Sequence, residues 1–205
     1  TSSQCCVQRA PDPCQSGGTL HGVDPDGSTP LPNFTGLVLG ASGCLVDGNR
    51  IVGNSNDAIT INGPGGNAVV SNVIGVGATG IGALNSGAGV RITAGDNNSI
   101  FGNTIRLMTA GGVLVTGNAG DGNAILGNAI YDNGSTGEGM DIDIGALGPT
   151  PNDAADIDGG PNQLQNFPLV TAVQLSAPVQ GSPTNVSAVI RGTLNGIPDP
   201  GDYLV

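Results

Sequence analysis

The chain repeats a pattern in which two aliphatic residues stand five positions apart, with a Gly-Asn or Ser-Asn dipeptide between them. These pairs are Val46/Ile51, Val69/Ile74, Ile100/Ile105 and Ile125/Ile130. Side chains of one continuous strand alternate between its two faces, so residues five apart would point in opposite directions. Both can face one core only if the chain turns a corner between them. Gly and Asn tolerate the left-handed conformations of such corners. The pattern therefore predicts two short strands joined by a tight corner.

A third short strand follows in each repeat, with its inward residues two positions apart. These pairs are Ile59/Ile61, Val90/Ile92, Val113/Val115 and Met140/Ile142. Three short strands and their corners make one coil, and stacked coils bury a continuous core. We therefore predict an all-β fold: a right-handed parallel β-helix, a solenoid of about four to five coils by the repeat count.

The corner asparagines are predicted to stack inside the solenoid as an amide ladder, in which each hydrogen-bonds the next. They are Asn49, Asn72, Asn103 and Asn128, which are 23, 31 and 25 residues apart. These unequal distances fit fixed strands separated by loops of varying length. The aliphatic residues expected to be buried are Ile51, Val69, Ile74, Ile100, Ile105, Ile125 and Ile130.

Changes of pattern divide the chain into four segments. They are a Cys-containing N-terminal cap region at 1–33, the β-helix at 34–148, an Asp/Gly/Pro-rich exit segment at 149–166 and strands of an incomplete β-sandwich at 167–205. Within the last segment, 169–175 and 186–194 are predicted antiparallel strands. A complete sandwich needs more strands than these. The expectation is either a fragment or a fold completed by another chain.

Charge and composition restrict the class of protein. The net charge is −11, with 16 acidic residues, five basic residues that are all Arg, and no Lys. This balance argues against nucleic acid as a partner and against anionic membrane surfaces. No apolar run is long enough to span a bilayer, so membrane insertion is not expected. A secreted protein, extracellular or on a cell surface, is the predicted class. The absence of an initial Met suggests that an upstream segment has been removed or that this is a fragment.

Four cysteines, Cys5, Cys6, Cys14 and Cys44, are predicted to form disulfides in an oxidising compartment. Adjacent cysteines rarely bridge each other, so one of Cys5 and Cys6 is expected to join Cys14 and the other Cys44. Such bonds would hold a cap over the end of the solenoid, whose strand edges would otherwise recruit other chains. A metal site is the alternative, but the chain has no CxxC pair and a single histidine.

An acidic cluster in and before the exit segment is the strongest candidate metal site. Its members are Asp141, Asp143, Asp153, Asp156 and Asp158. Oxygen ligands at alternate positions of a Gly- and Asn-rich loop are what Ca²⁺ prefers. Five carboxylates also repel one another unless something neutralises them. We therefore expect a structural Ca²⁺ at the exit, with a solvated acidic loop as the alternative.

Catalysis is the less favoured interpretation. Polysaccharide lyases of the β-helix class need a base and a cation beside the sugar, whereas hydrolases need paired carboxylates. The outward residues expected on the third strand are Thr60, Arg91, Leu114 and Asp141, which form no such cluster. Arg91 and Asp141 are expected to serve in surface ion pairs. No catalytic or cofactor-binding residue is predicted beyond the acidic cluster.

The repeated GN-x-I motif, followed by GMDIDIG and then PNDAADIDGGPNQLQNFP, resembles a known family. It is similar to large secreted bacterial surface proteins with right-handed parallel β-helix repeats, of pectate-lyase-like superfamily architecture. The resemblance covers residues 34–205 and implies that an immunoglobulin-like sandwich module begins after the helix.

Together, the repeats and this resemblance predict a non-enzymatic structural or adhesive module of a cell-surface or filamentous assembly. Its expected partners are further copies of the chain or other extracellular proteins. A polysaccharide-binding protein, or a polysaccharide lyase or hydrolase, is the alternative, because fold alone does not decide function.

Overall fold

The computed structural model describes residues 15–17, 20–22, 29, 31–77, 85–134, 139–175 and 188–194. The chain divides into two compact units. The first consists of Thr1–Thr150 with Gly160–Gln163, and the second of Pro151–Gly159 with Leu164–Val205. Among the described residues, no helix has the length and apolar character needed to cross a membrane.

In the described part of the first unit, the strands form three parallel sheets of five strands each. The first sheet contains β1 (Gln15–Gly17), β4 (Leu45–Asp47), β7 (Ala68–Val70), β10 (Ser99–Phe101) and β13 (Ala124–Leu126). The second contains β2 (Leu20–His21), β5 (Arg50–Ile51), β8 (Val73–Ile74), β11 (Thr104–Arg106) and β14 (Ala129–Tyr131). The third contains β3 (Leu37–Leu39), β6 (Ile59–Ile61), β9 (Ala88–Gly95), β12 (Gly111–Ala119) and β15 (Ile142–Ile144). Each strand pairs with its equivalent in the next coil, and the predicted parallel β-helix is confirmed.

The strand register explains the spacing of five. Ile100 pairs with Val69 and with Ile125 in the first sheet. Ile105 pairs with Ile74 and with Ile130 in the second. Five of the seven residues predicted to be buried have no exposed surface, while Ile125 and Ile130 of the fifth coil are partly buried against the same core. The corner between the two sheets turns both columns inward.

The third strand of the last coil is shifted from its predicted position. Val113 pairs with Ile142 and Val115 with Ile144, so the prediction of Met140 and Ile142 as the inward pair is wrong by two residues. Alternation with period two cannot distinguish such a shift, because it leaves the facing of every side chain unchanged. The outward neighbour of Leu114 is consequently Asp143 rather than Asp141.

Two strands lie in the segment predicted to be an N-terminal cap. Gln15 pairs with Leu45 in the first sheet, and His21 pairs with Ile51 in the second. The sequence pattern did not reveal these strands, since the residues around them lack the aliphatic pair that marks the other coils. The cap prediction for the preceding residues lies outside the described part of the chain.

The predicted asparagine ladder is present at the corner between the first and second sheets. The backbone N–H of Asn49 donates to Oδ1 of Asn72 at 2.8 Å, and that of Asn72 to Oδ1 of Asn103 at 2.9 Å. The N–H of Asn103 donates to Oδ1 of Asn128 at 2.8 Å. Buried polar groups need such partners, so the ladder satisfies the corners of four successive coils.

Two further ladders were not predicted. At the corner before the first sheet, Asn67 donates to Asn98 and Asn98 to Asn123. After the second sheet, Asn54 donates to Asn85 at 2.9 Å. The signal was available as asparagines 31 and 25 residues apart, and Asn54, Asn67 and Asn123 even follow a Gly, whereas Asn85 and Asn98 do not.

The described strands of the second unit form one antiparallel hairpin. β16 (Leu169–Leu175) pairs with β17 (Ala188–Thr193), which confirms the two predicted antiparallel strands. Every residue of both strands is exposed. The β-sandwich to which they were assigned stays a prediction.

Candidate functional site

The outward face of the third sheet holds the arginine considered for catalysis. Arg91 binds Asp57 through both ends of its guanidinium: Nε lies 2.8 Å from Oδ2, and Nη2 lies 3.1 Å from Oδ1. Asp57 also accepts the N–H of Ala88 at 2.8 Å and the hydroxyl of Thr60 at 3.1 Å. The Asp57 side chain is only 4% exposed, and these contacts join the second and third coils. Arg91 therefore takes part in an ion pair as expected, with Asp57 as its partner, whereas Asp141 accepts a hydrogen bond from Asn133.

A second arginine lies on the outer face of the second sheet. The guanidinium of Arg106 stacks over the ring of Tyr131, 4.8 Å from its centroid. Its Nη2 lies 3.1 Å from Oδ2 of Asp132, a side chain that is 59% exposed. Solvent screens such a pair strongly, so it contributes little to stability.

Two of the predicted metal ligands belong to the first unit and have partners within it. Oδ1 of Asp141 accepts the side-chain N–H of Asn133 at 2.8 Å. Oδ2 of Asp143, which is buried, accepts the backbone N–H of Gly148 at 3.1 Å. Both carboxylates thus stabilise the last coil.

The other three predicted ligands form a compact group in the second unit. One oxygen each of Asp153, Asp156 and Asp158 lies within 4.8 Å of the others. Asp156 accepts the N–H of Asn166 at 2.8 Å, and Asp153 accepts that of Ile157 at 3.1 Å. Oδ1 of Asp153 and Oδ1 of Asp158 are shielded from solvent without a hydrogen-bond partner. Sequence reasoning thus identified a true acidic group, whose donors are all oxygen atoms.

The described imidazole and sulfur donors His21, Cys44 and Met108 belong to three different coils, and Met140 lies just before β15 of the fifth coil. Cys44 and Met108 are core residues in the second and fourth coils, and adjacent coils are about 4.8 Å apart. Sγ of Cys44 donates to the carbonyl of Ala41 at 3.7 Å, and Sδ of Met108 accepts from Asn85 at 3.6 Å. His21 lies in the first coil, where burial lowers its pKa below the usual 6.5.

The disulfide prediction concerns residues that are mostly outside the described chain. Cys5, Cys6 and Cys14 are not among the described residues. Cys44 is buried just before the first strand of the second coil. The pairing of the four cysteines stays a prediction.

Comparison with known proteins relates the repeats to a single family. The family model described as "Periplasmic copper-binding protein (NosD)" matches residues 27–140, more than half of the chain. No curated protein matches, and neither does any solved structure. The periplasm lies outside the cytoplasm, which agrees with the predicted export, whereas neither the pectate-lyase-like nor the immunoglobulin-like resemblance gains support.

The family description corrects the predicted cofactor. The metal it names is copper, so the prediction of Ca²⁺ is wrong. Copper prefers imidazole, thiolate and thioether donors. Among the described His, Cys, Asp and Glu residues, those close enough to share a metal ion are Asp153, Asp156 and Asp158, which offer only carboxylates. The acidic group therefore does not fit a copper site, although the repeats match along residues 27–140 and the chain belongs to the NosD family of parallel β-helix proteins.

Proposed function

We propose that this chain is a non-enzymatic structural or adhesive β-helix module of an exported assembly, extracellular or on the cell surface. The observation that supports this most is that its buried polar side chains bind one another. Asparagines bind one another along three corners, and Asp57 and Arg91 bind across adjacent coils. These groups stabilise the solenoid instead of facing a substrate.

A lyase or hydrolase is disfavoured by the same contacts. A lyase needs a cation that is free to meet charge developing on the sugar. Nε and Nη2 of Arg91 both bind Asp57, and Arg106 contacts Tyr131 and Asp132. Asp57 has its oxygens occupied by four donors, which makes it a poor general base.

Association with other chains is supported by the apolar surface. The hairpin strands β16 and β17 expose Val170, Val173, Leu175 and Ile190, each more than half accessible. Exposed strands of this kind can add to a neighbour's sheet. We propose further copies of the chain, or other extracellular proteins, as the partners.

The proposal is tested by combining an activity screen with sedimentation. The purified full chain is incubated with a panel of acidic and neutral polysaccharides, and unsaturated products are followed by ultraviolet absorbance. We expect no turnover, together with sedimentation that depends on protein concentration. Turnover that survives dialysis and is lost in both Arg91→Ala and Arg106→Ala would refute the structural role in favour of a lyase.

Copper binding is a second candidate, favoured by the family match. It is tested by competition titration of the full chain against a chromophoric Cu(I) chelator. Stoichiometric, tight binding that is lost in His21→Gln or Met108→Leu would support the family's metal. The geometry instead predicts weak binding that neither substitution changes, because these two donors lie three coils apart.

A further inference from the structure

The second asparagine ladder ends on a residue from the exit segment. Asn123, in the fifth coil, donates its backbone N–H to Oδ1 of Asn162 at 3.0 Å. Nδ2 of Asn162 donates to the carbonyl of Asn123 at 2.7 Å. The backbone N–H of Asn162 donates to the carbonyl of Gly120 at 3.1 Å. One side chain therefore satisfies both main-chain polar groups of Asn123.

These two bonds reproduce those that a following coil makes elsewhere in the ladder. The N–H of Asn98 donates to the side-chain oxygen of Asn123 at 3.1 Å. The carbonyl of Asn98 accepts the N–H of Ala124 at 2.8 Å. The amide of Asn162 thus takes the place of both an asparagine and a backbone N–H of a sixth coil.

At the corner of the first ladder, no residue of the exit segment is bonded to the last asparagine among the described hydrogen bonds. Asn128, the last member of the first ladder, accepts from Asn103 and donates to the carbonyl of Ile100 at 2.7 Å. Among the described hydrogen bonds, none joins the backbone N–H of Asn128 to an acceptor, whereas that of Asn103 has one. The last coil is therefore closed at one corner and able to bond at another.

The turn that carries Asn162 has a strained backbone. In the short helical turn Pro161–Leu164, the φ angles of Asn162, Gln163 and Leu164 are 49°, 54° and 49°. Successive non-glycine residues in the left-handed region are unfavourable and persist only where surrounding contacts impose them. Here the contacts are the three hydrogen bonds of Asn162, the buried ring of Pro161, a bond of 2.9 Å from the N–H of Gln163 to the carbonyl of Gly160 and one of 3.4 Å from the Gln163 side chain to Asp121. Because strain opposes a small number of contacts, the turn is suited to release.

We propose that Gly160–Gln163 is a releasable cap that controls the addition of a second copy of this chain to the last coil. The inference rests on the proposed self-association. An uncapped strand edge is a template for pairing, and the edge here requires a parallel coil with an asparagine at the matching corner. This chain's own coils have that pattern, so a second copy is the partner that the hydrogen bonds select.

The cap is tested by comparing Asn162→Ala with Gln163→Ala in the full chain. Gln163 lies in the same turn and its side chain makes only an exposed contact, so it is the matched control. We expect the amide of Asn123 to exchange about tenfold faster or more in Asn162→Ala, measured by NMR, because its acceptor is gone. Sedimentation velocity of the same variant should show dimers and larger species at concentrations where Gln163→Ala matches the unaltered chain.

A second variant keeps the test decisive if Asn162→Ala fails to fold. Asn162→Leu keeps a side chain of similar size but removes both the acceptor for the N–H of Asn123 and the donor to its carbonyl, and it should show the same two changes. Unchanged Asn123 exchange, or faster exchange without any change in sedimentation, would overturn the proposal. If the unaltered chain shows catalytic turnover while the Asn162 variants still show both changes, the proposed structural function is refuted but the cap proposal is not.

Discussion

Asn103 shows how a single residue type stabilises the corners of this fold. Its Oδ1 accepts both the N–H and the side-chain amide of Asn72, each at 2.9 Å. Its Nδ2 donates to the carbonyl of Val69 at 2.8 Å and to Asn128 at 2.9 Å. The residue is 1% exposed, so water cannot replace these partners. A buried polar group left without a partner costs about 1–3 kcal/mol.

We predict that Asn103→Ala lowers the free energy of unfolding by about 2–3 kcal/mol, because it leaves buried groups of Asn72 and Val69 without partners. The measurement is urea denaturation followed by circular dichroism. Asn128→Ala is the matched control at the same corner of the last coil, where solvent is closer, and should cost roughly 1 kcal/mol. Equal losses of unfolding free energy in the two variants would show that the stability contributed by a ladder asparagine does not depend on its burial.

At the scale of the strands, small residues allow the third sheet to approach the core. Gly36, Gly89 and Gly112 each stand just before the first inward aliphatic residue of their strand. A methyl group on Gly112 would overlap the carbonyl of Asp141 and the side chain of Ile130. The close stacking of coils therefore depends on the absence of a side chain at this position.

Gly112→Ala is accordingly predicted to destabilise the β-helix by about 1–3 kcal/mol through overpacking. Thermal melting should show a lower transition temperature than that of the unaltered chain. Gly159→Ala is the control, because an added methyl there meets no atom within 4 Å. If the two variants melt alike, the coils are looser than this packing implies.

At the scale of the whole molecule, the core residues that the structure describes all belong to one unit. The core cluster runs from Leu37 to Ala119, with Ile125, Ile130 and Ile144 packed against it, all within the first unit. Solenoids of this kind owe their stability to contacts between neighbouring coils. The hairpin of the second unit supplies none of these core residues.

A chain ending at Phe167 should therefore keep its fold, with a melting temperature within about 3 °C of the full chain. Differential scanning calorimetry of both proteins measures this, and circular dichroism confirms that the β structure is retained. Loss of the cooperative transition in the shortened chain would mean that residues 168–205 are needed for the solenoid to fold.

The sequence by itself determined the coil: the spacing of five, the alternation of the third strand and the first asparagine ladder. These are local signals, since a corner requires Gly or Asn wherever the chain turns inward. It also located the three acids that meet near Asn166. It could not decide whether these acids bind a metal, because carboxylates at suitable spacing also occur in loops that hold none.

Only the tertiary structure decided how the coils end and what their charged groups do. The pairing of Arg91 with Asp57 spans 34 residues, and that of Asn162 with Asn123 spans 39. The two-residue shift of β15 is likewise set by pairing with β12. Such contacts depend on which coil lies beside which, and no period within a single strand contains that information.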